Sequence, residues 1–196
     1  MLDPVLLAAR PAFATLVSTD PAAAGVSAKE TLGNRLTMVE ARKGRQTRLA
    51  ERFRSEFGLA LPTGPHRTAS VELTLLGIGP LKWLAISAFE ETSVPQRLER
   101  ALHDSASLID LTGGLALLRI SGPRARETFA KGLPIDLDQS EFAIDDVAVS
   151  AIAQVAVTVW RLDDAVSFGV AVPRSYADSF AHWLQESAAE FGLAVE

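Results

Sequence analysis

Cysteine is absent from the 196 residues, which removes disulfides and thiolate chemistry and leaves structural zinc to carboxylates and three histidines. Charge is sparse at 22%, with a formal net of −5. An acidic chain repels phosphate at long range, and no docking helix or run of stacking aromatics stands out, so nucleic acid is not an expected partner. Long hydrophobic runs are missing too. The longest charge-free stretch, Val147 to Trp160, has fourteen residues, too few to span a bilayer as a helix. Asp3, Pro4, Arg10 and Pro11 interrupt the place where a secretory signal needs an unbroken apolar core. A cytoplasmic protein with no membrane contact is expected. What the chain does have is apolar bulk. It is 48% apolar, and its mean hydropathy of +0.18 is high for a free-standing domain, which hints at surface covered by something else.

Residues 1–33, with prolines at 4, 11 and 21 and apolar Leu6, Leu7, Phe13, Leu16 and Val17, predict an extended N-terminal arm lying on its own domain or on a neighbour. Residues 34–196 predict a single α+β domain. Leu36 to Ala41 alternates as a strand. Leu49, Phe53 and Phe57 mark one face of a helix from Gln46, closed by Gly58. Strands are expected over Val71 to Leu76 and Trp83 to Ile86, joined by a turn at Gly77, Gly79 and Pro80. A helix from Ser93 buries Leu98, Ala101 and Leu102. Leu108 to Leu111 and Leu115 to Ile120 read as a hairpin through Thr112-Gly113-Gly114. A short helix over Arg124 to Lys131, strands carrying Val155 to Val159 and Val166 to Val172, and a helix from Arg174 with Tyr176, Phe180, Trp183 and Leu184 on its inner face complete the chain. The order strand-helix-strand-strand-helix occurs twice, over about 36–105 and about 115–191. The expectation is of two similar halves, a pseudo-repeat with helices packed on sheets.

Chemistry is harder to find. Gly77-Ile78-Gly79-Pro80 lacks the third glycine of a dinucleotide fingerprint, and Pro80 removes an amide where phosphate needs one. His66, His103 and His182 fit no metal-ligand spacing. His103-Asp104-Ser105 sits at a helix end, where neighbouring side chains diverge and cannot relay a proton; His103 is expected to cap that helix. Asp136, Asp138, Glu141, Asp145 and Asp146 lack the spacing of a calcium loop and read as solvated loop charge. No catalytic, cofactor-binding or metal-binding residue is assigned. One feature stands against the acidic background: Arg42, Lys43, Arg45, Arg48, Arg52 and Arg54 face a single acid, Glu51. Such a stripe is either a solvated helix face or a docking surface for an acidic partner chain.

Several segments together resemble the gamma subunit family of heterotetrameric sarcosine oxidase. They are G-L-A-L-P from Gly58, L-L-G-I-G-P-L-K-W-L from Leu75, I-D-L-T-G-G-L-A-L-L-R-I-S-G-P-R-A-R from Ile109 and K-G-L-P-I-D-L from Lys131, followed by Phe142, Val159-Trp160-Arg161, P-R-S-Y-A from Pro173 and His182-Trp183-Leu184. The chain departs from the family turn around Gly79 and Lys82, and at Leu133, where relatives often carry Cys. Asp110-Leu111-Thr112 and Ser121-Gly122-Pro123 are also similar, more faintly, to the folate-binding domain of the glycine-cleavage T-protein.

The resemblance implies a folate-binding aminomethyltransferase-like fold and partnership with alpha, beta and delta chains in a complex that oxidatively demethylates sarcosine to glycine, with hydrogen peroxide and either formaldehyde or 5,10-methylene-tetrahydrofolate as further products. It places FAD, FMN, NAD, tetrahydrofolate and zinc on the other subunits and no cofactor on this one. The role it implies is structural, with Arg42, Lys43, Arg45, Arg48 and Arg52 as candidate partner contacts. The competing reading on the same fold is a free-standing folate-binding one-carbon transferase.

Overall fold

The computed structural model describes residues 10–88, 93–163 and 165–196. Leu6 and Leu7, assigned above to the arm, lie outside the described residues. Strand β2 (Asn34–Ala41) leads to helix α1 (Gln46–Phe57), then to β3 (Arg67–Ala69), β4 (Thr74–Gly79), β5 (Lys82–Ala88), α2 (Ser93–Leu102) and β6 (Ala106–Asp110). Strand β7 (Leu115–Ser121) leads to α3 (Ala125–Ala130), β8 (Val147–Ile152), β9 (Val155–Arg161), β10 (Ser167–Pro173), α4 (Ala177–Ala188) and β11 (Leu193–Val195), with β1 (Val26–Glu30) preceding them all.

The strands make two sheets. One has six, in the order β11-β1-β7-β10-β9-β8, and the other five, in the order β3-β4-β5-β2-β6. Side-chain alternation along each strand then sorts the core into three layers. From the five-stranded sheet, Val39, Leu75, Trp83 and Ala85 pack under Leu49, Phe53 and Phe57 of α1 and Leu98 of α2. From the six-stranded sheet, Val157, Phe168 and Val170 pack under Phe129 of α3 and Phe180 and Leu184 of α4. The opposite faces of the two sheets meet through Leu36, Leu76, Leu84, Leu117, Trp160 and Ala171. The molecule is therefore two sheets face to face with helices outside.

Helix α1 follows its sequence signal closely. Leu49, Phe53 and Phe57 are its buried residues, and Gly58 ends it at φ 64°, donating its N–H to Arg54 O. The β4–β5 hairpin forms where expected, with a register shift between Gly77 and Gly79. Other expectations change. Val71 is fully exposed and precedes β4. Tyr176 is exposed in a 3-10 turn ahead of α4 rather than on its inner face. Three strands rather than two separate α1 from α2.

The Thr112-Gly113-Gly114 connection does not make a hairpin. Strand β6 belongs to the five-stranded sheet and β7 to the six-stranded one, and neither glycine has positive φ. The segment is a crossover between sheets, stitched to β2 by Leu111 N–H on Leu36 O at 2.8 Å and Leu36 N–H on Thr112 Oγ1 at 3.1 Å. Within the stretch expected as an arm, Val26–Glu30 forms β1, antiparallel to β7 and parallel to β11. Glu30 then holds the chain ahead of it: its carboxylate accepts the N–H groups of Ala12 at 2.8 Å and Phe13 at 3.3 Å. This places the Phe13 ring edge-on to Phe180, 6.2 Å between centroids.

Candidate functional site

The polar residues singled out from the sequence do not converge. His66 Nδ1 lies 3.3 Å from Asp146, and His182 is exposed on α4. His103 sits at the end of α2 with Nδ1 3.0 Å from Arg100 O, a capping contact that satisfies a terminal carbonyl. Asp104 pairs with Arg48 instead, and Ser105 Oγ donates to Leu102 O at 3.2 Å. Three side chains reaching three unrelated partners cannot relay a proton. The acidic loop is also committed elsewhere. Asp138 accepts Ser140 N–H at 3.0 Å and its hydroxyl at 2.9 Å. Asp145 pairs with Arg67 at 2.6 Å, and Asp146 accepts Ala143 N–H at 2.7 Å. No group of three or more His, Asp or Glu able to hold a metal occurs among the described residues.

The basic stripe divides in two. Arg42 donates Nε to Ala106 O at 3.2 Å and Arg48 pairs with Asp104, which fastens the stripe to the start of β6. Lys43, Arg45, Arg52 and Arg54 have no ion pair among the described residues. At 3.6 residues per turn, Arg45, Arg48 and Arg52 fall on one side of α1, while Thr47, Ala50 and Arg54 fall on another.

One cleft borders α1 and a second lies beside β6. On the Thr47–Ala50 side, an apolar groove of about 920 Å³ runs between the loop Leu61 to Pro65, the β4–β5 turn and Val149. Its floor is Trp83, whose Nε1 donates to Pro62 O at 2.8 Å. The second, more polar cleft of about 530 Å³ lies between α2 and β6, with Arg42, Glu99, His103, Leu108 and Asp110 in its walls. A third cavity of about 240 Å³ opens between the sheets beside Asn34, Arg67, Arg119 and Trp160. It offers cations and an indole face, with no carboxylate in its lining. Neither groove was visible in the sequence. The only trace was the paired small residues Gly64 and Gly77, which let the loop and β4 approach closely.

In the α2–β6 cleft, the Thr112 hydroxyl and N–H beside Asp110 hold its carboxyl below the usual carboxylate range; the N–H lies 2.8 Å from Oδ1. A folded-state value below the unfolded one contributes stability above the ordinary carboxylate range, lost as pH falls through the lowered value. Thr112→Val should return the Asp110 carboxyl toward its ordinary value, read as an upward shift of its carboxyl-carbon titration by NMR. An unmoved titration would remove the Thr112 hydroxyl as a cause and leave its N–H.

Comparison with known proteins places these features in a family. The sarcosine oxidase, gamma subunit family matches residues 44–190. The gamma subunit of sarcosine oxidase from Corynebacterium sp. (strain U-96) is 26% identical over 140 residues, covering 70% of this chain and 67% of that one. Alignments with the curated relatives span 60 to 67% of those proteins' own length. Among solved structures, the heterotetrameric sarcosine oxidase from Corynebacterium sp. U-96, in complex with pyrrole 2-carboxylate, contains a chain of the same fold. The TM-score is 0.76 at 23% identity, covering 87% of this chain and 90% of that one. The glycine cleavage system aminomethyltransferase T from Bartonella henselae shares the fold at TM-score 0.64 and 16% identity, covering 88% of this chain and 48% of that one.

Proposed function

The chain belongs to the sarcosine oxidase gamma subunit family, and from that premise we propose that it works as an accessory subunit of an amine-oxidising complex, holding cofactor-bearing chains in register without carrying out bond chemistry itself. The observation that carries this reading is the family match across residues 44–190. The partners are the alpha, beta and delta chains of such a complex, and the substrate is sarcosine. FAD, FMN, NAD, tetrahydrofolate and zinc belong to those partners. Such a subunit contributes through fixed distances between sites on other chains, which is catalysis by positioning.

The basic stripe is the proposed partner contact. Lys43, Arg45 and Arg52 are charged, exposed or half-exposed and without an ion pair among the described residues, so a carboxylate from another chain meets them without displacing a described salt bridge. Arg42 and Arg48 shape the same surface through Ala106 and Asp104. Residues 34–196 are read as one domain of two pseudo-repeats, to which β1 from the preceding segment adds a strand. The strand orders β3-β4-β5-β2 and β8-β9-β10-β7 support that reading, as each half has its first strand fourth from an outer edge.

The competing reading, a free-standing folate-binding one-carbon transferase, draws on the likeness to aminomethyltransferase T. The inter-sheet cavity argues against it, because a pterin is gripped by a carboxylate and Arg67 and Arg119 stand there instead. Co-expression of the tagged chain with its partner subunits should yield one eluate carrying flavin absorbance. Arg45→Glu with Arg52→Glu should lower recovered flavin at least tenfold at low salt, and less steeply in 0.5 M salt, where the wild-type contact is itself screened. A wild-type chain that elutes alone, or that releases heat on titration with tetrahydrofolate, would contradict the proposal.

A further inference from the structure

We propose that β6 is a docking edge to which an acidic, extended segment of a partner subunit adds as a further strand, an inference that rests on the assembly reading above and gives it a binding mode. Strand β6 is the last strand of the five-stranded sheet and, among the described residues, pairs with β2 alone. Two hydrogen bonds bracket that ladder, Arg42 N–H on Ser105 O at 2.9 Å and Leu111 N–H on Leu36 O at 2.8 Å. Bonded and non-bonded pairs alternate in an antiparallel ladder. Ser107 and Ile109 therefore bond to β2, and Ala106, Leu108 and Asp110 turn their N–H and C=O groups outward. The outward Ala106 oxygen is the one that Arg42 Nε reaches, which fits this phase.

Exposed edges are normally guarded by Lys, Pro, a bulge or a very short strand. Strand β6 reads Ala-Ser-Leu-Ile-Asp and has none of these within its five residues, while Ile109 is 46% exposed. The six-stranded sheet treats its corresponding end differently, adding β11 outside β1. Another outer strand, β8, is partly capped by the chain ahead of β3, where Val147 N–H donates to Pro65 O at 2.9 Å.

Charge identifies the occupant. The first residue of β6 lies against the basic stripe through the Arg42 and Arg48 contacts, so a strand laid along β6 runs with one end beside Arg45 and Arg52. Backbone bonds supply affinity in strand addition and side chains supply selectivity. A segment with Asp or Glu at that end and small or apolar residues opposite Leu108 and Ile109 satisfies both the charge and the open ladder.

Hydrogen exchange on the assembled complex and on the full chain alone tests this. Assembly should slow exchange of the peptide covering Ala106 to Asp110 at least tenfold, because its outward amides gain partners. Leu108→Pro removes one outward donor without touching the β2 ladder, where proline is tolerated. It should weaken capture of the partner subunits at least tenfold while keeping the folded circular dichroism, with a lower unfolding midpoint because Leu108 packs against the core under α1 and α2. Should Leu108→Pro unfold the chain, the exchange result decides alone. A complex that assembles with β6 exchanging as fast as in the free chain would overturn the docking edge and leave the subunit role standing; protection arising from a second copy of this chain would also overturn it. Failure of the wild-type chain to assemble would overturn both.

Discussion

Gly169→Ala should destabilise the protein by about 3 kcal/mol, at the upper end of what overpacking a close-packed core costs. A Cβ at this position would stand 2.1 Å from Trp160 Cε2 and 2.5 Å from its Nε1. Neither wall can retreat easily. Gly169 and Trp160 are directly paired in the β10–β9 ladder, and the indole is buried among Leu36, Leu84 and Leu117 between the two sheets. The added methyl must tilt the ring into those leucines or into the small inter-sheet cavity beside it, or spread the sheets. Trp160→Ala alone should cost about 3–5 kcal/mol through the cavity it leaves. The double variant should lose clearly less than the sum, since each change removes the cause of the other's strain. Urea unfolding of the four proteins measures the cycle. Additive losses would show that ring and glycine do not share one space.

Gly77→Ala should cost about 2–3 kcal/mol and open the apolar groove. Here the obstacle is backbone: a Cβ would lie 1.9 Å from Gly64 O and 3.0 Å from its carbonyl carbon. The loop that bears Gly64 is pinned by Gly77 N–H on His66 O at 3.0 Å and by Trp83 Nε1 on Pro62 O at 2.8 Å. Lifting it breaks both contacts, and a buried indole N–H left unpaired adds its own penalty. The variant should show a urea midpoint roughly 1–2 M lower at ordinary slopes and a shifted Trp83 indole resonance. An unchanged indole resonance would mean that the loop accommodates the methyl without moving.

These two glycines illustrate what could and could not be read from the chain. Helix α1 was legible because everything that makes it is local: Leu49, Phe53 and Phe57 recur at four-residue intervals and Gly58 supplies the left-handed end. Strands β9 and β10 were legible for the same reason, through alternation. The break between β6 and β7 was not. Thr112-Gly113-Gly114 has the composition of a hairpin turn, and what directs β7 elsewhere is its pairing with β1 and β10, more than forty residues away along the chain in the latter case. Strand β1 is short, and its partners are β7 and β11, so nothing in its own five residues marks it out from an arm.

The site was legible to a similar degree. Clustering of Arg42 to Arg54 is visible in one dimension. That Arg48 is tied to Asp104 while Arg45 and Arg52 are left for another chain depends on how α1 sits against the end of α2. Whether a given Gly tolerates a side chain, or a given strand is an edge, also depends on neighbours brought together only by folding. The resemblance that identified the family drew on segments whose order along the chain carries the information, and it reached further than any single motif.

Native mass spectrometry of the complex purified through this chain is the most direct measurement. A single assembly is expected, in which the chain appears at its apo mass of 20.9 kDa, with every flavin and pterin travelling on the larger subunits when the assembly is dissociated. A chain that leaves the assembly with a pterin or flavin bound, or that is found only as a free monomer, would contradict it.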